Sequence, residues 1–250
     1  MTFAELLQPS CALFLDFDGT LVDLAPQPEA VVVPPGLVDA LEALNGYLGG
    51  ALALISGRSI AQIDAFLHPL RLPAAGVHGA ERRNASGEVT LVPTHPLQRV
   101  EAAASRLAAR HPGLRVETKR GSLALHYRQV PELEDECLAA MQAAVNESPG
   151  LTLLQGKMVV EAKPGGASKG LAIEAFMHEP PFAGRAPLFV GDDVTDEVGF
   201  ATVQHMQGLG VKVGEGASVA FQRIATPALF REQLRAAVQA KAGARAEANP

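Results

Sequence analysis

Two rhythms of apolar and polar positions run along this chain. Residues 12–16, 51–55 and 75–77 form short apolar runs that stop at Gly, Ser or Asp, and such runs predict strands buried on both faces. Between them, 36–46 and 59–67 carry apolar side chains at helical spacing. The alternation predicts a doubly wound parallel sheet. It returns with a helix over 168–177, a strand over 187–191, a helix over 194–203, a strand over 209–213 and a helix over 227–240. Residues 97–163 read differently, as helix, strand, strand and then the same again. Pro112-Gly113-Leu114 and Pro149-Gly150-Leu151 fall at the same point of each unit, the mark of a weak internal repeat. The expected architecture is therefore α/β: a core from 1–96 and 164–250, with an α+β unit of order αββ-αββ inserted at 97–163.

The insert has two unlike faces. In the strands 115–119, 122–128 and 157–163, period-two alternation puts Val116, Leu123, Leu125, Tyr127, Met158 and Val160 on one side. That side should pack on two helices whose stripes are Leu97, Val100, Ala104 and Leu107, and Leu133, Cys137, Met141 and Val145. The other side collects Glu117, Lys119, His126, Arg128, Lys157, Glu161 and Lys163. A solvated antiparallel sheet would look the same. Strands joined directly to the core can instead turn this face toward a site there, and carboxylates among cations suit the hydroxyls of a sugar.

Composition narrows the class. With 250 residues, 48% hydrophobic and 19% charged, the chain can bury one large domain plus a smaller one. A net charge of -6, with no basic run, argues against nucleic acid. No apolar stretch approaches the roughly 20 residues of a spanning helix, and Met1–Ser10 has no basic leader, so a cytoplasmic protein without membrane contact is expected. Cys11 and Cys137 lie in apolar surroundings and read as packed thiols. The Ala-rich tail from Lys241 to Pro250 is expected to fray. Oligomeric state is not legible; a monomer is the expectation.

The chemistry concentrates where apolar runs end. Ala12-Leu-Phe-Leu-Asp16-Phe-Asp18-Gly19-Thr20 brings two carboxylates to a strand's carboxyl end, where open α/β sheets place ligands. Residues i and i+2 share a strand face. Two anions so close call for a hard cation such as Mg²⁺, and a cation beside a spare carboxylate suits phosphoryl transfer. The run ending at Ile55 delivers Ser56 and Gly57 to a strand-to-helix turn, where a hydroxyl and free N–H groups can hold a phosphoryl oxygen; Ser56 could equally cap the helix. Lys169 opens the helix 170–177, a position the helix dipole disfavours for a cation, so an anion nearby would explain it; a solvated lysine is the other reading. After the run ending at Gly191 come Asp192, Asp193, Asp196 and Glu197. An acidic first helical turn accounts for Asp196 and Glu197, but Asp192 sits at the strand end as Asp16 does and reads as a further carboxylate on the metal.

In this order the four segments resemble the motifs of the haloacid dehalogenase (HAD) superfamily of phosphohydrolases. The resemblance narrows to the trehalose-6-phosphate phosphatases through Gly191-Asp-Asp-Val-Thr195-Asp196-Glu197, His78-Gly79-Ala80-Glu81, Glu117-Thr-Lys119, His126-Tyr-Arg128 and Val160-Glu161-Ala-Lys163-Pro164, and covers nearly the whole chain. It lacks the synthase domain fused to some members. What it implies is an HAD-like core with an α+β cap, acting on the small molecule trehalose 6-phosphate. Asp16 would be nucleophile and Asp18 general acid and base. Mg²⁺ would be held by Asp16, Asp192 and the backbone carbonyl of Asp18. Ser56, Gly57 and Lys169 would bind phosphate, and Asp193 and Asp196 would act through the metal's surroundings. His78, Glu81, Glu117, Lys119, Arg128 and Glu161 would bind the sugar. A phosphatase for another sugar phosphate would keep the core and change the cap, and a sugar phosphomutase would share the Asp pair. A non-catalytic sugar-phosphate sensor should have lost Asp16, Asp18 or Lys169, and all three are present.

Overall fold

The computed structural model describes residues 2–247. Its first half contains α1 (Phe3–Leu6), β1 (Cys11–Leu15), α2 (Leu37–Tyr47), β2 (Leu52–Ile55), α3 (Ile60–Leu67), β3 (Ala74–Gly76), β4 (Glu81–Arg83) and β5 (Val89–Leu91). The insert follows as α4 (Gln98–Arg110), β6 (Arg115–Lys119), β7 (Ser122–His126), α5 (Glu134–Asn146), β8 (Leu151–Gly156) and β9 (Val159–Pro164). The chain then returns through α6 (Lys169–Met177), β10 (Ala186–Gly191), α7 (Glu197–His205), β11 (Leu209–Val213), β12 (Gln222–Ile224) and α8 (Pro227–Glu247).

Every residue of β1 and β2 is buried, as unbroken apolar runs require when helices cover both faces of a sheet. The sheet order is β12-β11-β10-β1-β2-β3-β4-β5, parallel from β12 to β3 and antiparallel beyond. Successive strands move outward from β1 in one direction up to β5 and in the other from β10, so the order reverses between β1 and β10. Phe14 of β1, Phe176 of α6 and Phe182 in the turn after α6 pack together with ring centroids 5.1 to 6.0 Å apart. Fully burying one such ring contributes about 1.5 to 3 kcal/mol.

The insert has its own antiparallel sheet, β6-β7-β9-β8, and its own core, built from the α4 stripe Val100, Ala104 and Leu107, the α5 stripe Cys137, Met141 and Val145, and Leu123, Leu125, Tyr127 and Val160. The two Pro-Gly segments are the turns that lead each helix into its strand. Met158 is the exception to the expected packed face. It occupies the β8–β9 turn at φ 63° and is 38% exposed, because β9 begins one residue later.

Other boundaries also move. The expected helix from 194 is a short 3₁₀ turn over Val194–Asp196 followed by α7, because Asp193 and Asp196 close a capping box that tightens the start. The last helix runs on to Glu247, past the point where fraying was expected; the final residues of that tail lie outside the described ones. Strands β4, β5 and β12 carry no apolar run long enough to predict them. No described helix is long and apolar enough to cross a membrane.

Candidate active site

Leu15 pairs with Val190, so the residues after β1 and β10 emerge side by side at the carboxyl edge of the sheet, where the strand order reverses. There Asp16 is buried and its N–H donates to the Val190 carbonyl at 2.9 Å. Gly19 turns the chain at φ 80°, and a Cβ on it would lie 2.2 Å from Asp192 Oδ2, so only glycine lets the two acidic loops meet.

The lysine at the start of α6 has found its anions. Lys169 is buried, and its ammonium donates to Asp16 Oδ1 at 2.7 Å and to Asp196 Oδ1 at 2.6 Å. Burial alone would lower its pKa; the two carboxylates outweigh that and hold it above the ordinary lysine range. The second oxygen of Asp196 accepts the N–H groups of Asp192 and Asp193 at 3.0 and 2.9 Å. Both oxygens of Asp196 are therefore committed to shaping the loop and placing Lys169. Lys212 on β11, buried and absent from the expected site, donates to the Asp192 carbonyl. Its only sequence signal is a cation inside an otherwise apolar strand.

Asp16, Asp192 and Asp196 offer oxygens within 4.8 Å of one another. Burial raises Asp16 well above the usual carboxylate range, with Asp196 and Asp192 adding to the effect against Lys169. Burial, then Asp196 and Asp193, push Asp192 up to about 7. Carboxylates so disfavoured as anions, offering oxygen alone, form a donor set that fits a hard divalent cation.

The side chain of Asp18 points away from the other carboxylates, which leaves its expected role through the backbone carbonyl untouched. Its oxygens accept from Arg58 Nε and Nη2 at 2.6 and 2.7 Å, while the guanidinium lies 4.8 Å from the centroid of Phe66. A bidentate arginine is the stronger partner for a carboxylate that the cluster of like charges would repel. Arg58 follows Ser56-Gly57 directly, yet nothing in the sequence pattern assigns it a role. Ser56 is buried, and its Oγ accepts the Arg58 N–H at 3.1 Å.

The polar face of the inserted sheet is turned onto this edge. Lys119 Nζ donates to the Gly57 carbonyl at 3.0 Å and lies 3.5 Å from Glu161 and 3.8 Å from Glu117. Glu117 meets His126 at 2.9 Å, and Glu161 meets His78 Nε2 at 3.3 Å. Burial would raise both glutamates. Lys119 and His78 outweigh it at Glu161, as His126 and Lys119 do at Glu117, so both carboxyls are held below their usual range. Arg128 also lines the cavity, donating to the Lys157 carbonyl at 3.4 Å. The backbone N–H of Lys157 approaches Asp193 Oδ2 at 3.4 Å, and at the rim Arg115 pairs with Glu29 at 2.5 Å.

Two expectations fail here. Glu81 does not line the cavity; its Oε1 accepts the Ile60 N–H at 2.5 Å and caps α3, a structural task its place after β3 does not reveal. Lys163 donates to the Ala167 carbonyl and is buried away from the cavity. The cavity, of about 450 Å³, runs from Asp16 and Lys169 past Glu117 and Glu161 to an apolar end at Leu24, Val31 and Leu114. It is within the range of about 300 to 1,000 Å³ usual for small-molecule sites.

Known proteins resemble this chain in sequence and in fold. The trehalose-6-phosphate phosphatase of Escherichia coli (strain K12) is 46% identical over 227 residues, which cover 90% of this chain and 85% of the relative. Among solved structures, the C-terminal domain of C. albicans trehalose-6-phosphate phosphatase superposes with a TM-score of 0.84 at 21% identity, covering 92% of both chains. A phosphatase of the haloalkanoate (HAD) enzyme superfamily from Bacteroides thetaiotaomicron superposes with a TM-score of 0.60 at 18% identity, over 90% of this chain and 94% of the other. The fold is thus that of HAD phosphatases. The family model described as trehalose-phosphatase matches residues 14–227, which takes in the acidic edge and the inserted sheet alike, and the chain belongs to that family.

Proposed function

We propose that this protein hydrolyses trehalose 6-phosphate to trehalose and phosphate, the last step of trehalose biosynthesis, in the cytoplasm, through a phosphorylated Asp16. The observation that carries this reading is one cavity that joins the Asp16–Lys169 pair to the Glu117, Lys119 and Glu161 face. Asp16 and Asp192 would hold Mg²⁺, which when bound supplies positive charge against the phosphoryl oxygens.

The chain's own groups carry the rest. An Asp16 oxygen attacks phosphorus as the bond from phosphorus to the sugar oxygen breaks, and Asp18 supplies the proton that oxygen needs to leave as a hydroxyl. Water then attacks the phosphorylated Asp16; Asp18 takes its proton and phosphate departs. Arg58 fixes where the Asp18 carboxylate stands. Lys169 and Ser56 stabilise charge on the oxygens in flight, and Lys169 favours the ionised nucleophile. The inserted αββ-αββ unit acts as a cap whose seating excludes water. On its cavity wall Glu161 Oε1 is buried without a hydrogen-bond partner, as an acceptor matched to a sugar hydroxyl would be.

A panel of trehalose 6-phosphate, glucose 6-phosphate and sucrose 6-phosphate, scored by phosphate release with Mg²⁺ present, tests the reading. Trehalose 6-phosphate should be hydrolysed with the highest kcat/KM. A preference for another ester would move the assignment to that sugar, and no release from any would remove the hydrolase.

A further inference from the structure

Three successive residues, Val77, His78 and Gly79, take φ of 48°, 53° and 98°. Glycine accepts this region freely; a β-branched valine is a true outlier there, and histidine only tolerates it. Such a run persists only where its surroundings fix it, and strain of this kind gathers at functional sites. Here three parts of the site do the fixing. The Val77 and His78 N–H groups donate to the Arg58 and Ser56 carbonyls, both at 2.9 Å. The His78 ring lies so close to Gly57 that a Cβ there would stand 2.7 Å from Cε1 and Nε2. A Cβ on Gly79 would lie 2.5 Å from the carbonyl of Ser168, the residue before Lys169. On the remaining side His78 Nε2 meets Glu161 of β9.

We infer that His78 is a positioning residue: its ring and strained backbone transmit the seating of Glu161 in the cap to the Ser56–Gly57 turn and the start of α6, so that the phosphate-binding groups are set for transfer only with the cap in place. Lys119 also reaches the Gly57 carbonyl from the cap, but through a long flexible stem. Glu81, the other polar residue of the His78 turn, is occupied with α3. Burial keeps the ring's pKa below its ordinary value against the pull of Glu161, so near neutral pH the bridge is a hydrogen bond from Nε2–H to a carboxylate. Such a bond holds position without needing a protonated ring. This role extends the proposed function and rests on it.

The test separates bridging from folding and from sugar binding. Asparagine accepts positive φ better than histidine but is too short to reach Glu161, whereas glutamine can set its amide near the place of Nε2. With the full chain, Mg²⁺ and trehalose 6-phosphate, His78→Asn should fold normally and lose roughly 10- to 100-fold in kcat. Its KM should change by less than about threefold. His78→Gln should recover most of that kcat. A loss confined to KM would make His78 a sugar ligand only, and Asn and Gln variants equally impaired, or Asn as active as the wild type, would remove the bridge. Wild-type turnover of trehalose 6-phosphate in the same assay checks the substrate independently. Should another ester prove faster, the kcat comparison is read on that ester, so the two readings fail separately.

Discussion

Asp16 is asked to be an anion in a place that resists anions. Burial and two neighbouring carboxylates push it toward its neutral form, and Lys169, itself buried, opposes them at 2.7 Å. Asp18, only two residues on, is drawn the other way to Arg58. This separation agrees with the proposed roles: the carboxylate inside the acidic group would attack, and the one outside, held by Arg58, would carry protons. Asp16→Asn should abolish turnover. Asp18→Asn should keep substrate affinity while losing proton transfer worth about 10²- to 10⁴-fold in kcat; steady-state phosphate release measures both. The Asp pair was legible because two carboxylates ending an apolar run repel each other unless a cation or a ligand holds them there. Arg58 was not: an arginine opening a helix turn looks solvated until the rings of Phe17 and Phe66 are seen beneath it. Glu81 misled for the converse reason. It belongs to a segment that resembles a family motif, and only the register of β3 with β4 shows that it points at α3.

Among elements, the proposed function divides the strands into those that would deliver phosphate chemistry and those that would select the sugar. The carboxyl ends of β1, β2 and β10 supply Asp16, Ser56 and Asp192, while β6, β7 and β9 supply Glu117, His126 and Glu161. Glu117→Ala should therefore lower kcat/KM for trehalose 6-phosphate by about 1 to 3 kcal/mol. Hydrolysis of p-nitrophenyl phosphate, which does not reach the sugar face, should change little. Equal losses on both substrates would assign this residue to holding the cap rather than the sugar. The two faces of the inserted sheet were readable from period-two alternation, since burial on one side leaves a clear apolar set. What alternation does not specify is where a strand stops. Met158 and Lys163 follow the pattern, but one falls in the turn before β9 and the other near its end, where the side chain reaches the Ala167 carbonyl. The short strands β4, β5 and β12 are defined by their pairing partners, a tertiary property that no local run of residues announces.

For the whole molecule, the acidic edge links stability to pH and to cations. The Asp192 carboxyl, ordinarily near 3.8, is pushed up to about 7, so between those values the folded metal-free chain holds a proton that the unfolded chain has released. Its contribution to stability therefore falls as pH rises through that window and levels off above about 7. A cation that binds the ionised pair reverses this loss. Mg²⁺ should raise the Tm more near about pH 7.5 than near about pH 5, and excess chelator should stop phosphate release. An equal shift at both pH values would place the cation elsewhere. The central claim, that the phosphoryl group passes through Asp16 on its way from the sugar to water, has a direct measurement. Acid quenching of the protein during turnover of trehalose 6-phosphate with Mg²⁺, followed by peptide mass analysis, should find phosphate on the peptide that carries Asp16 and none in Asp16→Asn. Phosphate release at full rate with that peptide unmodified at every time point would contradict it.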